Sequence, residues 1–315
     1  MKKLIAFVAA ALLACSAAQA QKEPCAAAGN NNDFLGIKTI RLWPGDAPEA
    51  KGKDCEDIPT LTVFDSSGGG SGKGSAVIIM PSGGYNQLTG KAAREMADWF
   101  TARGFRAFVL SYRLSPNGYL MPVPLLDARR AVQLVRARAQ EFQIDPHRIV
   151  VAGFSAGGHL AALSATRYFF GDPDSEDPIE RVSSRPDYLV LGYAWIGAFD
   201  INSGYCERFK TTDGCAALRA MYSPDLLVSK NTPPTFLYHT FNDESVPVEQ
   251  GLRFYQALVR AGVPSEMHIF PNGPHGSGLG KGDPALDQWP NLMEIWLRAQ
   301  GLLTPAKSIE ATKPQ

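Results

Sequence analysis

The stretch Arg148 to Leu160, RIVVAGFSAGGHL, decides the fold. Arg148–Ala152 is an apolar, β-branched run of the kind that fills a buried strand, and Ala156–Arg167 reads as a helix. Between them stands Gly153-Phe154-Ser155-Ala156-Gly157, a G-x-S-x-G pattern. A strand-to-helix turn this tight strains the serine backbone and crowds its neighbours. Glycine two residues before and two after removes the side chains that would collide, leaving the Ser155 hydroxyl exposed above the sheet. A glycine-rich packing turn can share the pattern. The strand before and the helix after are what mark a nucleophile.

Working outward, Ala76–Met80 (AVIIM) is a second buried strand and runs straight into Pro81-Ser82-Gly83-Gly84-Tyr85. Ala92–Phe100 carries Ala93, Met96, Ala97 and Phe100 at helical spacing, and Gly104 ends that helix. A strand at Ala107–Tyr112 and a helix at Leu126–Phe142 follow, the helix stopped before Asp145-Pro146. Beyond the serine, strands are predicted at Tyr188–Trp195, Thr235–His239 and Glu266–Phe270, with helices at Val248–Ala261 and Leu292–Gly301. Residues 21–75 are loop-rich, with short strand candidates at Lys38–Leu42 and Leu61–Phe64. Buried strands alternating with amphipathic helices predict an α/β fold, a parallel sheet with helices on both faces. One domain spans 21–303, interrupted by an irregular, cap-like insertion or long loop at 197–234, and 304–315 is a polar tail.

The chain has 315 residues, 45% hydrophobic and 20% charged, which excludes a disordered chain or a coiled coil. Its 31 basic residues balance 31 acidic ones, so nothing in the charge favours nucleic acid. Lys2 and Lys3, the apolar run Leu4–Ala14 and Ala18-Gln19-Ala20 form a signal-peptide pattern over 1–20, cleaved after Ala20. The apolar run is too short to span a bilayer. A lipidated Cys15 is the rival reading. The expected localisation is secreted or periplasmic. Export makes Cys25, Cys55, Cys206 and Cys215 candidates for two disulfides. Cys206 and Cys215 lie close together in a polar segment, so they are paired, as are Cys25 and Cys55. No metal-ligand spacing occurs, and no metal or other cofactor is expected. Gly-Lys within Ser67–Ser75 precedes a strand and lacks the P-loop hydroxyl; the acidic run Gly171–Glu180 lacks calcium-loop spacing.

A serine is a weak nucleophile unless a base and an orienting acid serve it. With a nucleophile at such a turn, the partners follow in the order acid, then histidine. His239 and His268 lie within predicted strands, whereas His275 stands in a glycine-rich loop, PNGPHGSG, after the last strand. His275 is the candidate base. Asp243, at the carboxyl end of the strand before, is the candidate acid, with Glu244 as its rival. Backbone N–H groups of Gly83 or Gly84, and of Ala156 after the nucleophile, are candidate oxyanion donors. Tyr85, Asn86, Tyr119 and Trp289 are candidate substrate-binding residues.

With these segments, the sequence resembles the secreted α/β-hydrolase esterases of the acetyl xylan esterase and feruloyl esterase type, near the hormone-sensitive-lipase branch. The matching stretches are Leu42-Trp43-Pro44-Gly45 with Ala47-Pro48, Pro81–Tyr85, Asp145–Leu160, Asp243–Val248 and Pro274–Leu279, which together cover most of Leu42–Leu303. The resemblance implies an eight-stranded, mostly parallel sheet, a Ser155–Asp243–His275 triad and metal-free ester hydrolysis. Ser82 replaces a glycine usual in that oxyanion loop, which leaves the choice between Gly83 and Gly84 open; the insertion with Cys206 and Cys215 has no match. The expected activity is a secreted serine esterase removing short acyl groups, acetyl first, from a small-molecule or oligosaccharide ester of the xylan type. A feruloyl or general carboxylesterase, a serine peptidase or amidase, and a non-catalytic binding protein are the alternatives.

Overall fold

Eight segments pair into one sheet: β1 (Thr39–Arg41), β2 (Thr60–Phe64), β3 (Ala76–Met80), β4 (Arg106–Ser111), β5 (Ile149–Phe154), β6 (Tyr188–Gly192), β7 (Thr235–Thr240) and β8 (Ser265–Phe270). Their order is β1-β2-β4-β3-β5-β6-β7-β8. β1 and β2 pair antiparallel, as do β2 and β4; every other pairing is parallel. This is a computed structural model, and it describes Phe34, residues 37–66, 74–200, Gly204, Tyr205, Glu207 and 214–303. The expected signal segment 1–20 with Cys15, and the tail 304–315, lie outside the described residues.

The central strands are apolar along their whole length because helices cover both faces. In β3 all five residues are buried: Ala76, Ile78 and Met80 join one core, Val77 and Ile79 the other. The first core is closed by α2 (Val123–Ala137), α4 (Ala156–Thr166) and α7 (Val248–Arg260) through Leu134, Leu163 and Phe254. The second is closed by α1 (Gly90–Thr101) and α8 (Trp289–Ala299) through Met96, Phe100, Met293 and Trp296. Three shorter helices complete the α-helices of the described residues: α3 (Ala139–Phe142), α5 (Gly214–Tyr222) and α6 (Pro224–Leu227). Both α5 and α6 lie in the insertion 197–234, whose other described residues are mostly turn or irregular.

Several boundaries differ from the expected ones. The helix expected over Leu126–Phe142 begins at Val123 and breaks at Arg138 into α2 and α3. Pro124 sits in its first turn, where a missing N–H costs no intrahelical bond. Pro290 does the same for α8, which begins three residues earlier than its apolar spacing suggested. The strand expected to reach Trp195 ends at Gly192, because Tyr193 takes a left-handed φ of 34° and turns the chain away.

One buried ion pair ties the sheet to its cover. Arg113, just beyond β4, meets Asp127 of α2 through Nη2 at 2.7 Å, and its backbone N–H donates to the same carboxylate at 2.9 Å. Arg113 Nη1 also donates to the Pro48 carbonyl at 2.6 Å. Burial raises the Asp127 pKa to about 6 while the guanidinium pulls the other way. The cost of desolvating this pair limits its net gain, yet loss of either partner would strand a buried charge. Its clear effect is positional, holding β4, α2 and the 43–48 loop together. Cys55 and Cys215 are each disulfide-bonded, and Cys25 and Cys206 lie outside the described residues.

Candidate active site

The parallel strands all point one way, so the loops after β3, β5, β6, β7 and β8 emerge along one edge of the sheet. That edge is where α/β sheets place their ligands. Ser155 stands there between β5 and α4 with φ 54° and ψ −122°, a conformation that a non-glycine residue adopts only under constraint. Its N–H donates to Gly192 O at 3.1 Å, and its carbonyl accepts from His159 N and Trp195 N, each at 3.0 Å. The turn is pressed hard against its surroundings. A Cβ on Gly157 would fall inside contact distance of the Met80 and Pro81 carbonyl oxygens, and one on Gly153 would strike the Gly157 carbonyl. Only glycine fits at either place.

Ser155 Oγ lies 2.8 Å from His275 Nε2, and His275 Nδ1 lies 2.8 Å from Asp243 Oδ2. An ionised carboxylate can only accept, so Nδ1 carries the proton and Nε2 accepts the one from Ser155 Oγ. Asp243 Oδ1 takes the N–H groups of Ser245 and Val246, both at 2.9 Å. Asp243 is buried while Glu244 is exposed, so geometry separates the two acids that the sequence leaves as rivals. His239 packs under this turn, its Nε2 donating to Val246 O at 2.8 Å. Burial lowers its pKa, which keeps it neutral beside Asp243. The acid and base loops are also tied to each other: Asn242 Oδ1 accepts from Gly273 N at 2.9 Å, and Thr240 Oγ1 donates to Gly273 O at 2.9 Å.

Facing the serine, Gly83 and Gly84 both have left-handed φ, 126° and 65°. Among the described residues, no protein acceptor takes the amides of Gly83, Gly84 or Ala156. Such free N–H groups beside a helix N-terminus suit a developing oxyanion. What holds this loop against α4 is a residue that sequence reasoning passed over. His159, one turn beyond Ser155, meets Tyr85 Oη through Nδ1 and the Tyr222 carbonyl through Nε2, at 2.7 and 2.8 Å. A carbonyl only accepts, so Nε2 bears the proton and Tyr85 donates to Nδ1. Burial pushes the His159 pKa down to about 4. The neutral imidazole thus joins the oxyanion-side loop, the nucleophile helix and the insertion. The only sequence signal was a polar residue in the otherwise small and apolar face of α4.

Of the four candidate substrate-binding residues, three need correction. Tyr85 is fully buried, stacked on Tyr205 at 4.7 Å and bonded to His159, so it props the loop from beneath. Tyr119 is fully buried, its hydroxyl held by Asp57 and by Lys51 N. Trp289 is buried as well, stacked on Tyr238 at 4.0 Å; its Nε1 and the Tyr238 hydroxyl both donate to Gly278 O, bracing the His275 loop. A ring with no exposed face cannot stack on a sugar. Asn86 is exposed, beside Gly84.

Residues 127–300, more than half of the chain, match the model of the prolyl oligopeptidase family, and 68–184 match the BD-FAE model. The chain is 30% identical over 233 residues to an acetylxylan esterase from Xylanibacter ruminicola, covering 72% of this chain and 46% of that one. It is 32% identical over 209 residues to endo-1,4-beta-xylanase B from Butyrivibrio fibrisolvens, covering 65% and 32%. The chain thus spans less than half the length of these two relatives. Among solved structures, an acetyl ester-xyloside bifunctional hydrolase from Caldicellulosiruptor lactoaceticus superposes with TM-score 0.76 at 39% identity, covering 85% of this chain and 97% of that one.

Ser155→Ala is expected to lower kcat on p-nitrophenyl acetate by at least ~10³ with the fold retained. Asp243→Asn should be comparably severe and Glu244→Gln mild; the reverse order would move the acid to Glu244. His159 makes a separate, pH-dependent prediction. Its folded pKa of about 4 lies below the ordinary 6.5, so between these values the unfolded chain binds a proton that the folded chain refuses. Stability should therefore fall as pH drops from 6.5 towards 4. His159→Gln should flatten that slope in urea midpoints measured across the window, and an unchanged slope would contradict the assignment.

Proposed function

The chain belongs to the α/β hydrolases covered by the prolyl oligopeptidase model and, within them, to the esterases of the acetyl xylan esterase type; on that premise we propose that it is a serine carboxylic-ester hydrolase removing acetyl groups from a xylan-like carbohydrate. The observation that carries the chemistry is the continuous chain Ser155–His275–Asp243, two contacts of 2.8 Å ending on a carboxylate held by two backbone amides. The acetyl preference and the carbohydrate rest on kinship.

In this reading Ser155 Oγ attacks the ester carbonyl carbon and its proton passes to His275 Nε2. Asp243 keeps the imidazole in the correct tautomer and stabilises the imidazolium without taking the proton. The carbonyl oxygen becomes an oxyanion facing the Ala156 amide and that of Gly83 or Gly84. Collapse breaks the ester C–O bond, and the sugar hydroxyl leaves with the proton from His275. A water molecule, deprotonated by His275, then attacks the acetyl-enzyme; acetate departs and Ser155 Oγ recovers its proton. Because His275 must be neutral to start, turnover falls on acidification. Amide hydrolysis is the second reading, favoured by the match to a peptidase family.

Export and the disulfide framework belong to the same proposal: residues 1–20 as a signal peptide, Cys25 paired with Cys55 and Cys206 with Cys215. The disulfide-bonded state of Cys55 and Cys215 supports a framework of bridged cysteines. Among the described residues no helix is long and apolar enough to cross a membrane.

A p-nitrophenyl ester series should give its highest kcat/KM with acetyl or propionyl and collapse by octanoyl, since each misfitting methylene costs ~1–3 kcal/mol. A peak at eight carbons or longer would refute the acetylesterase reading, and faster cleavage of acetyl anilide than of the acetyl ester would favour an amidase. Non-reducing peptide mapping should recover the two proposed disulfides. A Cys25–Cys206 link would overturn the pairing.

A further inference from the structure

A groove of about 260 Å³ has walls that include no residue of the triad and none of the oxyanion-side loop. One wall is Trp43 with Pro48, the floor is the α2 face carrying Leu126, Arg129, Arg130 and Gln133, and the far wall is Phe169 with Asp172 and Glu180. It is a built site. Trp43 and Pro48 belong to the loop that Arg113 and Asp127 hold, and Arg130 Nε donates to the Leu42 carbonyl at 2.9 Å. The Arg130 guanidinium lies 5.4 Å from the Trp43 ring centroid and that of Arg129 lies 5.4 Å from Phe169.

Three features point to an occupant. The Arg130 side chain is 3% exposed; its Nη2 pairs with Asp177 at 2.7 Å and its Nη1 lies 4.0 Å from Glu180 Oε1, an ion pair that is not a hydrogen bond, and Arg129 Nε makes no hydrogen bond either. Buried donors left unmade are costly and call for an acceptor. Phe169 is 60% exposed and the adjacent Phe170 77%, an uncommon display of aromatic surface. Glu180 and Asp172 add exposed carboxylates beside the arginines. Those acids, with Asp177, offset the guanidinium charge and work against an anionic ligand, while the unpaired N–H groups work against a purely apolar one. What remains is a neutral molecule with apolar C–H faces and hydroxyls that both donate and accept. We propose that this groove is a glycan-binding site for a neutral pyranose chain, with a lining that shares no residue with the triad or the oxyanion-side loop. It rests on the carbohydrate-ester reading for the choice of glycan, xylan, and on its own chemistry for the rest. Its volume, just below the ~300–1,000 Å³ of typical ligand pockets, suits one or two sugar rings of a longer chain. Bound there, the polymer would raise the local concentration of acetyl groups at Ser155.

The test uses the full chain in native gels cast with unacetylated xylan. Wild type and Ser155→Ala should both be retarded. Phe169→Ala and Glu180→Gln, both on exposed side chains, should bind roughly fivefold more weakly or worse. Their kcat/KM on p-nitrophenyl acetate should stay at the wild-type value while acetate release from acetylated xylan slows. No retardation of wild type, or equal retardation of both variants, would overturn the groove. So would thermal stabilisation by inorganic phosphate but not by xylotriose, which would assign the arginines to an anion. Variant-sensitive xylan binding without acetate release from acetylated xylan would support the groove and sink the substrate reading instead.

Discussion

The approach of the β5–α4 turn to the end of β3 is the constraint on which the site depends. Gly157 lies so close to the Met80 and Pro81 carbonyls that any side chain there would drive the two elements apart. That contact sets the height of Ser155 above the sheet and aims the first amides of α4 at the loop running on from Pro81. It also explains why the serine tolerates a left-handed φ. Its carbonyl is pinned by two N–H groups, from His159 and Trp195, and its own N–H by Gly192, so the strained conformation is over-determined by its surroundings.

Around that fixed point, the other reactive groups are positioned by polar contacts between loops. Asp243 is buried and its carboxylate is filled by two backbone donors and one imidazole, which leaves it little freedom to turn. The His275 loop is glycine-rich and would otherwise be loose. It is braced on one side by Asn242 and Thr240 and on the other by Tyr238 and Trp289. On the opposite side of the serine, the His159 bridge serves the oxyanion-side loop in the same way. Two buried histidines, His159 and His239, are thus held neutral by desolvation and used as hydrogen-bonding struts beside the one histidine that faces Ser155.

The aromatic residues show how a side chain's chemistry can mislead about its place. Tyr85 and Trp289 lie next in sequence or space to reactive loops and have the rings expected of sugar-binding platforms. Both turn inward, because a glycine-rich loop without side chains of its own must be supported by bulk from beneath. Two of the rings left facing solvent, Phe169 and Phe170, follow α4 in a segment that carries no catalytic motif.

Local pattern was enough for the alternating α/β architecture and the turn that carries Ser155, and it offered His275 and Asp243, with Glu244 as rival, as the partners. Short apolar runs rich in β-branched residues, such as AVIIM and IVVA, read as strands covered on both faces, the spacing of Gly153, Ser155 and Gly157 identifies the turn, and the order serine, aspartate, histidine follows the strands. Element ends were less legible, as at Val123 and Trp289, because a proline in a first helical turn reads as a breaker until the turn is seen. Asp243 was separated from its rival Glu244 by the tertiary structure: adjacent residues differ in which one the turn after β7 buries, and the buried carboxylate is the one that His275, from a loop some thirty residues on, reaches. The same holds for the His159 bridge, the inward rings and the arginine groove. Each is assembled from residues tens of positions apart, whose meeting is set by sheet order and helix packing and leaves no periodic trace in the sequence.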